Sequence, residues 1–462
     1  MDIVYASNDL YARHLAVSMI SLFDRNQQAE EITVYVLSVG ITEESRQKLQ
    51  KIADQYHRNL ELLDLADIRG RFDYEIDTRG FDVSAMSRLF IGTLLPRTVK
   101  RVLYLDCDTV VVQSIGKLWN LDLKGHVAGA VMEPTIYQVV KQEIGLEEQD
   151  PYFNSGVLLI DLERWRADGA EKRLLDFYGS KNGSLFACDQ DTINGALKGE
   201  ILPMTPRYNF FTNYRYFSYE ELCKHGPSYR QVEKRQFCLA KKYPVIIHYM
   251  GDERPWIAGN LNHYRRAYEK YLAMTPWKGA KKQAGKRVYM LLYHGMDYLT
   301  VVCPALRWEI SRRLGMKVVD ARKQGGKAAK AAGTVAGTAA GTAGIKSGKE
   351  GEKIMVDLDV VKQHCRIDTD FSGDDALLTL YTGAAERYVQ TWTRRTLYEN
   401  QSSPGYADDQ DPILLNDDVK AAMLLLIGHW YANRESVAIG QTVAEVPFAV
   451  EALLQPYRIY GV

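Results

Sequence analysis

The chain has 462 residues, 46% hydrophobic and 25% charged, with 58 basic and 58 acidic side chains and no formal net charge. That length and apolar content exclude a disordered or fibrous chain and are enough to bury a large core in more than one domain. Six cysteines without Cys-X-X-Cys spacing exclude a disulfide or cysteine-metal framework, and Met1-Asp2-Ile3 has neither the basic region nor the apolar run of a secretory signal, so a cytoplasmic location is expected.

Asp2 to Tyr11 reads as a short strand running into polar residues. An amphipathic helix around Leu15 to Phe23 and a second strand, Ile32 to Leu37, complete a βαβ start. The apolar run Val102 to Leu105 reads as a buried strand, and Asp106 and Asp108 stand at its carboxyl end, where open α/β sheets bind ligands. Two carboxylates this close repel unless a cation lies between them, and hard oxygen donors suit Mg²⁺ or Mn²⁺. A surface turn is an alternative for an isolated Asp-X-Asp. Asp106-Cys107-Asp108-Thr109-Val110 also fits the nucleophile motif of haloacid-dehalogenase-like phosphatases, with Asp106 attacking.

Three later stretches discriminate between these readings: Tyr152-Phe153-Asn154-Ser155-Gly156 followed by an apolar run, Cys188-Asp189-Gln190-Asp191, and His248-Tyr249-Met250-Gly251-Asp252-Glu253-Arg254-Pro255-Trp256. In order and spacing, residues 1 to 265 or so resemble family 8 glycosyltransferases, a group that includes glycogenin and bacterial lipopolysaccharide galactosyl- and glucosyltransferases. The resemblance implies an α/β fold, a nucleotide-sugar-binding, Rossmann-like domain of GT-A type with a mixed sheet. It also implies a retaining hexosyltransferase that uses a UDP-hexose and a glycan or lipid-linked acceptor, as in lipopolysaccharide synthesis.

Site residues follow from the same resemblance, position by position. Asp106, Asp108 and His248 are the implied metal ligands, and an imidazole among oxygens favours Mn²⁺ over Mg²⁺. Ala6, Asn8 and Tyr11 match the nucleotide pocket, with Tyr11 as a stacking surface for uracil and Asn8 where an Asp is frequent. Arg88 matches the arginine that reaches donor sugar and phosphate. Gly251 would let the backbone approach the diphosphate, and Arg254 would neutralise it where relatives carry Lys, a forked cation replacing a point charge. Gln190 stands at the family's one candidate nucleophile position. An amide is a poor nucleophile, so a front-face route, with a UDP oxygen taking the acceptor proton, is expected. Asp189 is expected to orient sugar hydroxyls or to cap a helix beginning near Thr192. Asn154 and Glu133 are expected to contact donor or acceptor sugar.

The expected boundaries are 1–277 for the transferase, 278–322 for a basic extension, 323–354 for a linker and 355–462 for a small all-α domain. Residues 278–322 hold ten Lys and Arg against three Asp and Glu. The segment 281–313 reads either as an amphipathic helix lying peripherally on an anionic inner membrane or as a helix docked on the catalytic core. Residues 323–354, rich in Lys, Ala, Gly and Thr, can form no apolar face.

From Met355 the chain reads as a fresh start. Helices are expected over Asp374 to Arg394, with Leu377, Leu380, Tyr381, Ala384, Tyr388 and Trp392 on one face, over Asp417 to Asn433, and over Phe448 to Leu454. Val361 to Asp368, Gly428 to Glu435 and Val446 to Leu454 resemble head-tail connector (adaptor) proteins of tailed bacteriophages. That implies self-assembly into a ring or docking to a phage portal. Residues 355–462 carry 8 basic against 16 acidic side chains, which suits a channel along which DNA slides, so no sequence-specific nucleic-acid binding is expected. The loop Leu397 to Leu415 is the one best able to reach a neighbouring subunit. The two halves share no evident biology, so a fusion is expected.

Overall fold

A computed structural model describes residues 1–310 except 66, 80 and 284–286, and residues 355–459 except 433–449 and 451–452. The chain divides into two compact units, the first taking in what is described up to residue 310 and the second what is described from Met355 onward. Each has its own apolar core.

The first unit is built on a seven-stranded mixed sheet. Its β1 (Asp2–Asn8) leads into α1 (Ala12–Arg25), β2 (Thr33–Val39), α2 (Glu43–Gln55) and β3 (Asn59–Asp64), and β1, β2 and β3 pair in parallel. Thr42 caps α2 by accepting from the Ser45 N–H, so the turn between β2 and α2 is set locally. The remaining strands are β4 (Arg101–Leu105), β6 (Ala128–Met132), β7 (Phe153–Asp161) and β8 (Ile201–Pro203), in the order β3-β2-β1-β4-β7-β6-β8. Val102 to Leu105 are fully buried because β4 lies inside the sheet, parallel to β1 on one side and antiparallel to β7 on the other.

A second sheet joins β5 (Thr109–Val111), β10 (Ile246–His248) and β9 (Phe210–Phe211). Its register does the positioning: His248 pairs with Thr109 and with Phe211, which sets His248 beside Asp108 and brings in residue 209. Between Ala130 and Val131 the β6–β7 register shifts, leaving residues 155–157 of β7 as a bulge next to the end of β4. Helix α3 (Cys188–Ala196) packs against β7.

Residues expected to form one long amphipathic helix form α4 (Arg287–Val302), and a further helical stretch follows over 304–310. Pro304 lacks the N–H that would carry the first helix through. Met290 belongs to the apolar core of the first unit and Trp308 packs against it, so the extension docks on that core. No helix among the described residues is long and apolar enough to cross a membrane.

The second unit contains α5 (Leu358–His364), α6 (Asp375–Thr393) and α7 (Asp417–Ala432). On α6, Tyr381, Tyr388 and Trp392 pack against the core as expected, while Leu378, Ala385 and Val389 beside them are fully buried and Leu380 is 61% exposed. Apolar residues on both sides of the stripe hide from periodicity where the buried face is centred. The loop after Leu397 is closed at its base by parallel pairing of Leu397–Tyr398 with Ile413–Leu414. Most of the expected helix Phe448 to Leu454 lies outside the described residues.

Candidate active site

Asp106 directly follows β4, its N–H donating to Gly156 O at 2.8 Å, and Thr109 Oγ1 and N–H both return to Asp106 O, forming the tight turn that carries Asp108. Ligand atoms of Asp106, Asp108 and His248 all lie within 4.8 Å of one another, and all three residues are buried. His248 Nε2 is 3.1 Å from Asp108 Oδ1 and 3.9 Å from Asp106 Oδ2.

Each acid also has a guanidinium. Arg88 donates to Asp106 Oδ1 at 2.8 Å and lies 3.2 Å from Asp189, with its planar head 4.4 Å from the Tyr104 ring centre. Arg254 reaches Asp108 Oδ2 at 3.3 Å. Burial works to raise the Asp108 carboxyl, but His248 and Arg254 outweigh it and hold it below the usual carboxylate range. Burial dominates at Asp189 and Glu133, and both are raised despite Arg88 and the amides beside them.

A chain of amides orients His248. The Gly156 N–H donates to Asn154 Oδ1 at 2.9 Å, which identifies that atom as the acceptor and leaves Nδ2 to donate to Glu133 at 3.0 Å. Asn209 Nδ2 also donates to Asn154 Oδ1, at 2.8 Å, so Asn209 Oδ1 accepts from His248 Nδ1–H at 2.9 Å. Nε2 of the neutral imidazole is thus the lone pair, aimed at two carboxylates, an arrangement that requires a proton or a metal ion between them. At Gly156 an added Cβ would lie 2.4 Å from His248 Cε1 and 2.6 Å from Asp106 Oδ2, so only glycine leaves room for this constellation. The residues present fit a divalent ion.

Gln190 belongs to the same network. Its Oε1 accepts from Asn154 Nδ2 at 2.9 Å and Ser155 N–H at 3.1 Å, and its Nε2 donates to Glu133 and to Tyr152 Oη, each at 3.1 Å. Asp189 does not cap a helix near Thr192: α3 starts at Cys188, Asp189 lies in its first turn and accepts from Ser155 Oγ at 3.0 Å, and Asp191 takes the Ala187 N–H at 2.7 Å. Local propensity could not show this, because the acids at 189 and 191 lie in the same first turn and serve different partners.

Asp106, Asp108, His248, Arg88, Arg254, Asp189, Gln190, Asn154 and Glu133 therefore form one connected group. Ala6 and Asn8 lie in the last part of β1 and Tyr11 just beyond it, and the Tyr11 ring and Arg254 both flank Trp256. Ala6 O accepts from Cys107 Sγ at 3.2 Å. Asn8 is already engaged, its Oδ1 holding the Tyr11 N–H at 3.1 Å and its Nδ2 donating to Asp82. Tyr11 is 5% exposed, with His14 and Trp256 ring centres 5.1 and 6.5 Å away, so little of its face is open for stacking. Gly251 has φ +57° and nothing within 4 Å of an added Cβ, leaving its backbone approachable. Sequence reasoning missed Asn209, Ser155 and Tyr104, whose roles arise from register alone.

Comparison with known proteins agrees with this geometry. Residues 2–259 match the model of glycosyl transferase family 8, and residues 355–458 match that of the phage gp6-like head-tail connector protein. The general stress protein A of Bacillus subtilis is 29% identical over 280 residues, 60% of this chain and 94% of that protein. A lipopolysaccharide 1,2-glucosyltransferase of Escherichia coli is 28% identical, across 62% of this chain and 82% of its own length. The crystal structure of the galactosyltransferase LgtC with donor and acceptor sugar analogs superposes with a TM-score of 0.51 at 27% identity, covering 60% of this chain and 99% of that one. The phosphatase reading of Asp106 to Val110 is set aside by these matches. Through the unit that carries the paired acids, the chain belongs to glycosyl transferase family 8, joined to a phage head-tail connector domain.

Proposed function

We propose that the first unit moves a hexose, glucose or galactose, from a UDP-sugar to a glycan or lipid-linked acceptor with retention at the anomeric carbon. The observation that carries the reading is the buried meeting of Asp106, Asp108 and His248, bordered by two guanidinium groups. These three side chains would hold Mn²⁺, which an imidazole ligand favours over Mg²⁺. Bound there, a divalent ion supplies Lewis-acid charge to a diphosphate leaving group.

The protein's own groups do the rest. Gly251 lets the loop backbone approach the diphosphate. Arg254 turns between Asp108 and phosphate oxygens, and its fork neutralises charge as the leaving group forms. Asn8 and Tyr11, with Ala6, border the nucleotide. Asp189, braced by Arg88 and Ser155, orients donor hydroxyls, and Glu133 and Asn154 face the sugars. Both lone pairs of Gln190 Oε1 are occupied by N–H donors, so it is unsuited to attack the anomeric carbon. That favours the front-face route, in which the acceptor hydroxyl attacks from the leaving-group side and passes its proton to the departing UDP oxygen.

The test is UDP release by the purified chain with Mn²⁺ and UDP-glucose or UDP-galactose, run beside Asp106→Asn/Asp108→Asn. Release by the parent alone supports the reading; silence with every UDP-sugar sinks it.

The second unit is proposed to act by interaction, assembling as a ring or docking to a phage portal, with the 397–415 loop reaching the neighbouring subunit. Support comes from its family match and acidic composition. Native mass spectrometry showing only monomers at every concentration would remove the ring.

A further inference from the structure

Gln190 belongs to a hydrogen-bond chain whose two ends are backbone donors. At one end the Ser155 N–H gives to Gln190 Oε1 at 3.1 Å, and at the other the Ala187 N–H gives to Asp191 Oδ2 at 2.7 Å. Between them Gln190 Nε2 donates to Tyr152 Oη at 3.1 Å, and Tyr152 donates its own proton to Asp191 Oδ1 at 2.6 Å. Tyr152 and Asp191 are 2% and 0% exposed, so the pairing is settled within the protein.

The direction of each link follows from what the groups can give and take. A chain that begins and ends on N–H donors needs one member that accepts on both sides. A phenol and a primary amide each give on one side and take on the other, so neither supplies it. The Asp191 carboxylate does. It draws the Tyr152 proton away from Gln190 and leaves the phenol oxygen to accept, which holds the amide with Nε2 toward Tyr152 and Oε1 toward Ser155. Asn194, one turn further along α3, ties the frame together by taking the Phe153 N–H and returning a bond to Phe153 O, both at 2.7 Å.

Which end of the amide faces the sugar matters for charge. Departure of a diphosphate leaves positive charge at the anomeric carbon. A carbonyl oxygen fixed beside it favours that charge, whereas an N–H opposes it.

We propose that Tyr152 and Asp191 are positioning residues that set the Gln190 amide oxygen-first toward the donor sugar. This rests on the transferase reading above, with Gln190 at the anomeric carbon; the wiring itself does not.

The experiment measures kcat and KM for UDP release by the full chain with Mn²⁺ and UDP-glucose or UDP-galactose. Tyr152→Phe removes one acceptor from Nε2 while Ser155 and Glu133 still hold the amide, so kcat should fall about three- to tenfold with KM unchanged. Asp191→Asn puts a group that gives and takes where only acceptance fits, turns the Tyr152 proton onto Nε2, and should lower kcat about ten- to a hundredfold. Adding Tyr152→Phe to Asp191→Asn removes the opposing proton, and the double variant should return to within about threefold of Tyr152→Phe alone. Parental kcat in Tyr152→Phe, losses that multiply in the double variant, or losses that fall on KM overturn the positioning.

A swap tests the wiring without turnover. Gln190→Glu/Asp191→Asn moves the acid along the same chain, so the Tyr152 proton reverses and each donor again meets an acceptor. The swap should melt several degrees above either single variant. A swap no more stable than the better single variant overturns the wiring. No UDP release by the parent counts against the transferase reading and leaves the swap to decide the wiring.

Discussion

Replacing Gly156 by alanine adds one methyl group at the most crowded point of the site. The new Cβ would lie 2.4 Å from His248 Cε1, 2.6 Å from Asp106 Oδ2 and 3.0 Å from Asn154 Oδ1, where ordinary contact begins at 3.4 Å. The imidazole and the carboxylate must therefore retreat by about 1 Å or the strand must shift. Neither side chain yields easily, since His248 is pinned by Asn209 and Asp106 by Arg88 and Tyr104. Gly156 is not among the positive-φ residues, so the backbone itself accepts alanine and the whole effect is steric. Overpacking of this kind costs about 1–3 kcal/mol, which in a unit of this size lowers Tm by several degrees. A misplacement of about 1 Å at reacting groups costs roughly 10²-fold in rate. Melting, Mn²⁺ affinity and UDP release should be measured on the same preparation. The expected variant is folded, slightly less stable, and impaired about a hundredfold in turnover with weakened Mn²⁺ binding. A folded Gly156→Ala protein with parental Mn²⁺ affinity and turnover would refute the placement of the ligands around this glycine.

Asn209→Ala removes the acceptor that sets the His248 tautomer, so Mn²⁺ affinity should fall about 10–100-fold; titration with Mn²⁺ giving the parental value would sink the relay. Arg88→Met leaves Asp106 and Asp189 buried without their cation and should cost about 3–5 kcal/mol by urea unfolding, a loss under about 1 kcal/mol being incompatible with the paired geometry. Glu253 is pushed up to about 7 by burial, with the Asp297 charge adding to it. Because its folded value lies above the ordinary 4.5, its contribution to stability is complete at low pH and is lost as pH rises through about 7, by as much as about 3 kcal/mol. Glu253→Gln should therefore flatten the loss of α4 protection on raising the pH, read by hydrogen exchange over Arg287–Val302; an unchanged pH profile would exclude Glu253 as its source.

Local pattern carried the βαβ start, the buried run ending at Asp106 and the helical character of the second unit. Each of these depends on side-chain period and on residues adjacent in the chain. The face of α6 came out in part, with Tyr381, Tyr388 and Trp392 on the core but Leu378 buried in place of Leu380, because neighbouring apolar residues offer overlapping stripes and only the packing partners choose between them. The metal-ligand types were legible as motifs, but what surrounds them was not. Asn209 is 55 residues from Asn154 in the chain and 39 from His248, and nothing in Arg207-Tyr208-Asn209-Phe210-Phe211 marks it.

By itself the sequence determined which chemistry-bearing residues exist, that two acids stand at a strand end, and that charge divides between a basic extension and an acidic terminal unit. Only the tertiary structure decided that Arg88 and Arg254 neutralise those acids, that the bulge at 155–157 makes room for His248, that Gln190 is bound on both sides, and that α4 turns its polar residues inward. These depend on strand register and on contacts between segments far apart in the chain. A one-residue slip would exchange every facing side chain while leaving local propensity unchanged.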